Sequence, residues 1–162
     1  MSVRQCTAAL GRLAEAIAAN GPVSAVIAVP GARGVITPAE TLAAYLGSPL
    51  HETEPSTVPP TGLAPAACSS PELPQLVQGR VLVFAERPSC VALTQTAGHL
   101  RHRLAPDAVL ETAALVLRSR FGPLPNWWAW SIADAHVIFP WECVEPGASA
   151  PALPDFQEVR SS

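Results

Sequence analysis

The sequence predicts an α+β fold, a mainly antiparallel sheet with helices packed on one face and a long proline-rich loop inserted. Three observations lead there. Amphipathic and short β-branched segments follow in the order helix, strand, helix, long loop, two or three strands, helix, then one or two strands. The strands of the second half stand close enough in sequence to pair as hairpins. The chain has 162 residues, 49% hydrophobic and only 14% charged, which suits one domain with ample core. A three-layer α/β arrangement is the alternative. The domain is expected to span 1–145, with a loop or linker at 48–76 and a flexible tail at 146–162.

Residues 3–19 read as a helix because Val3, Cys6, Leu10, Leu13 and Ile17 recur at alternating spacings of three and four, placing them on one stripe. A core-facing helix is preferred for it over a dimeric coiled coil. Asn20, Gly21 and Pro22 stop it, since Gly takes the left-handed cap and Pro cannot continue the helix. VSAVIAV at 23–29 is short, apolar and β-branched, hence a buried strand. Thr37, Pro38 and Glu40 form a capping-box start for a second helix that ends at Gly47. Seven prolines then fall within 48–76, which predicts a loop extended in places as polyproline II.

RVLVFAE at 80–86 is the clearest strand. Residues 90–96 are expected to return as a second strand through a turn at 87–89, because Val91 and the Thr/Gln positions favour extended chain. The competing reading is a helix whose apolar face is Leu93, Ala97, Leu100 and Leu104. Residues 106–120 read as a helix, with Pro106 in the first turn, acids early and arginines late, and an apolar face of Val109, Ala113, Val116 and Leu117. The aromatic stretch 126–144 reads as one long strand or as a hairpin turning at 133–135.

Composition excludes several functions. The net charge of −3 argues against a nucleic-acid binder working through phosphate contacts. All ten basic residues are arginine; the absence of lysine removes Schiff-base chemistry and P-loop ATP chemistry. Apolar runs fall short of a membrane span, and Arg12 and Glu15 interrupt the only stretch resembling a signal peptide. A cytoplasmic protein without membrane or nucleic-acid partners is expected. The cysteines at 6, 68, 90 and 143 show no paired spacing, and His99 and His102 lack a completing carboxylate, Glu86 and Asp107 being the nearest acids. Neither a metal nor a cofactor is therefore expected.

Candidate chemistry gathers in three places. The Gly31–Gly34 turn sits between a strand and a helix, where backbone N–H groups and Arg33 can hold an anion. Cys90 would gain thiolate character if it opened a helix, with a histidine as base. On an unbroken strand Asp134 and His136 continue the face of Trp128 and Trp130, giving an oriented imidazole beside two apolar rings. The resulting expectation is a non-catalytic binding or accessory domain that meets a protein partner or small ligand through its Trp-rich strand, with Trp128, Trp130 and Arg33 as ligand contacts. The alternative is a cysteine-dependent hydrolase or transferase using Cys90 with His136 and Asp134.

Overall fold

The computed structural model describes residues 2–29, 37–53, 77–86, 90–118, 124–132, 137, 139 and 140. The elements are α1 (Val3–Ala18), β1 (Ala25–Val29), α2 (Thr37–Leu46), β2 (Leu50–Glu52), β3 (Arg80–Ala85), α3 (Cys90–Arg101), β4 (Val109–Arg118) and β5 (Trp127–Ile132). The strands form one sheet in the order β2-β1-β3-β4-β5, and every neighbouring pair is parallel.

An all-parallel sheet replaces the antiparallel α+β arrangement, and the three-layer α/β alternative fits. The register puts Val26 opposite Leu82, Phe84 opposite Ala113, and Ala113 opposite Trp127. These side chains share one face, which α1 and α2 cover with Leu10, Leu13, Ile17, Leu42 and Ala43. Ile27, Val81, Val83 and Ala85 turn to the other face, where α3 supplies Leu93 and Leu100. With both faces covered, the central strands read as continuous apolar runs.

Two elements differ from expectation. Residues 109–118 form a strand although VLETAALVLR is rich in good helix formers. Lying between β3 and β5 and buried on both faces, the segment gains ladder bonds and apolar contacts on each side that outweigh local propensity. Residues 90–101 form a helix despite their β-branched content, because a parallel return from β3 to β4 needs a crossover. The apolar face given by the helical alternative is the one buried, through Leu93, Leu100 and Leu104. A short strand, β2, also emerges at the start of the 48–76 segment; residues 54–76, the tail, Cys68 and Cys143 lie outside the described residues.

α1, β1, α2 and β3 follow the sequence reading closely. Ser2 caps α1 and Gln5 closes its capping box. Cys6, Leu10, Leu13 and Ile17 are buried, whereas Val3, also on the expected stripe, is exposed. Gly79 precedes β3 with φ +81°, and a Cβ there would lie 2.5 Å from Ser24 Oγ, so only glycine fits.

One arginine ties the amino edge of the sheet together. Arg80 Nη1 donates to the carbonyls of Ile17 and Gly21, at the carboxyl end of α1, both at 2.8 Å. Its Nη2 meets Glu111 Oε2 at 2.7 Å, and Trp127 Nε1 donates to the same oxygen at 2.7 Å. The guanidinium also lies 5.9 Å from the Trp127 ring centroid. The planar fork serves α1, β4 and β5 at once, which an ammonium cannot do.

Arg80→Ala is expected to cost about 3 kcal/mol in urea denaturation, because Glu111 and two helix carbonyls lose their partner in a largely desolvated place. Arg80→Lys should recover less than half of that. Leu13, fully buried, should cost about 2–5 kcal/mol on truncation to Ala. A loss under about 0.5 kcal/mol would mean that α1 is not seated on the sheet.

Candidate functional site

The topology singles out one place. From β1 the chain passes through α2 to β2 on one side; from β3 it passes through α3 to β4 on the other. Crossovers of one hand running in opposite directions must lie on opposite faces, as α2 and α3 do. The carboxyl ends of β1 and β3 are therefore a topological switch point, where the two following connections part and leave a crevice.

The described residues around that crevice come from β3, α3 and β2; residues 30–36, with Gly31, Arg33 and Gly34, follow β1 in the sequence and lie outside the described residues. Glu86 follows β3 directly and is only 8% exposed; its carbonyl accepts from Val116 N at 2.9 Å, fixing the strand end against β4. Cys90 is the first residue of α3, so the positive end of that helix dipole lies beside the crevice. Thr53 closes the neighbouring end of β2, its N–H and Oγ1 both donating to Ala28 O, at 3.0 and 3.1 Å.

The structure thus brings the carboxyl ends of β1 and β3 side by side, with the start of α3 following β3, a convergence the sequence did not reveal. Arg33, Asp134 and His136 themselves lie outside the described residues. Asp134 and His136 follow β5, which is separated from β3 by β4. Trp128 and Trp130 share a face, as expected, with Trp127 and Ala129 on the other. The three rings do not form a docking surface: Trp127 is held by Glu111, Trp130 is buried in the core, and Trp128 is half-buried. In the sequence Glu86 stands out only as an acid near the His99 and His102 pair, because no motif surrounds it; the available signal is an acid closing an otherwise apolar strand. Among the described residues no cluster of three or more His, Cys, Asp or Glu can hold a metal. His99 and His102 are exposed at the far end of α3.

Behind the strand ends, a pocket of about 330 Å³ opens between the first turns of α1 and α2, lined by Cys6, Leu10, Thr37, Pro38, Thr41 and Pro140. Burial pushes the Cys6 thiol up to about 11 from an ordinary 9.0, and the negative charge of Glu86 acts in the same direction. The group is therefore a neutral, slow-reacting thiol at physiological pH. Among the described residues no helix is long and apolar enough to cross a membrane.

The Cys6 shift has a defined sign. Above pH 9 the unfolded chain loses the thiol proton while the folded chain keeps it, so folding stability falls as pH rises from about 9 through 11. Cys6→Ala should flatten that fall in denaturation midpoints measured across the window. An identical slope in the variant would show that the thiol is not buried as described.

No protein-family model and no curated protein matches the sequence. Solved structures do match. A purine phosphoribosyltransferase from Pyrococcus horikoshii superimposes with a TM-score of 0.69 at 19% identity, over 96% of this chain and 97% of that one. A hypothetical protein from Neisseria gonorrhoeae with bound ppGpp gives 0.69 at 20% identity, over 90% and 89%. A hypoxanthine-guanine phosphoribosyltransferase from Bacillus anthracis gives 0.67 at 17%, over 84% of each. These likenesses, with Trp127 and Trp130 buried, overturn the expectation of a non-catalytic accessory domain that binds protein through its Trp strand. The chain has the all-parallel α/β fold that these purine phosphoribosyltransferases share.

Proposed function

We propose that this chain is a nucleotide-binding transferase that moves a phosphoribosyl group to or from a purine, with its site in the crevice outside the carboxyl ends of β1 and β3. The observation that carries the reading is the switch point between those strands, in a fold matching a purine phosphoribosyltransferase over almost the full length of both chains. The neighbour with bound ppGpp supports a phosphorylated purine nucleotide as the ligand class.

The residues at hand suit such a ligand. With no lysine in the chain, arginine is the permanent cation available to phosphate, and a guanidinium can grip it through two parallel hydrogen bonds. Arg33 and Arg87 belong to the segments leaving β1 and β3. The start of α3 adds backbone N–H donors. Glu86 offers a carboxylate, an acceptor for ribose hydroxyls. Cys90 is the first residue of α3, and a cysteine-based transfer would use it as nucleophile. A cytoplasmic location goes with this substrate class.

The test is nucleotide formation from phosphoribosyl diphosphate and hypoxanthine or guanine, with a divalent cation present to accompany the diphosphate. Arg33→Ala and Arg87→Ala should each lower kcat/KM about ten-fold or more, the worth of a charge-assisted hydrogen bond, with unchanged denaturation midpoints. Cys90→Ser should retain turnover if phosphate positioning dominates and lose it if the thiol is the nucleophile. Absence of both product and calorimetric binding of phosphoribosyl diphosphate would refute the reading.

A further inference from the structure

We draw no further inference here: the strongest candidate, the apolar pocket between the first turns of α1 and α2 lined by Cys6, Leu10, Thr37 and Thr41, carries nothing because nothing in the structure shows what covers it.

Discussion

Parallel pairing of β1 with β2 and with β3, and of β3 with β4, is the constraint on which the rest of this molecule depends. Parallel strands cannot be joined by a tight turn, so each junction requires a crossover that returns the chain to the amino edge of the sheet. That requirement makes α2 and α3 necessary and, through the handedness of crossovers, assigns them to opposite faces. It also sends every connection that follows a strand out from the same edge. The crevice between β1 and β3 is thus a consequence of strand order, created where the two directions of winding part.

The two edges of the sheet are built differently. At the amino edge Arg80 unites the end of α1 with Glu111 of β4 and Trp127 of β5, and Gly79 packs against Ser24. Asn126 adds a smaller link, its Oδ1 accepting from Thr112 N at 2.8 Å. These contacts fix the relative positions of a helix and three strands without any ligand. At the carboxyl edge the described groups are strand ends and helix starts: Thr53 bonded to Ala28 O, Glu86 held to β4, and α3 beginning at Cys90. A rigid frame at one edge and variable connections at the other is the division of labour on which α/β sites are built.

The lack of lysine gives this arrangement a particular chemistry. Arg80 is committed to structure, and in the sequence Arg33 follows β1 and Arg87 follows β3. An always-protonated, planar cation recognises phosphate by shape as well as charge. The buried thiol of Cys6, pushed up to about 11 behind the same strand ends, stays neutral and adds no competing charge.

The sequence by itself determined α1, β1, α2 and β3. Their signals are local: a 3.6-residue stripe with a capping box, a short β-branched run, and glycine stops at Gly21 and Gly47. It also determined that lysine takes no part in the chemistry, all ten basic residues being arginine. What it could not determine was the identity of β4 and α3. VLETAALVLR carries helix formers and no alternation because both faces of β4 are buried, which removes the two-residue period by which a strand is normally recognised. CVALTQTAGHLR carries β-branched residues, yet the return to a parallel neighbour leaves room only for a crossover helix. Strand order followed from those two assignments and was equally invisible, so Val29 and Ala85, 56 positions apart in the chain, gave no sign that they end neighbouring strands. Local propensity acts over a few residues; the pairing of β1 with β3 spans more than fifty, and only the closed sheet decides it.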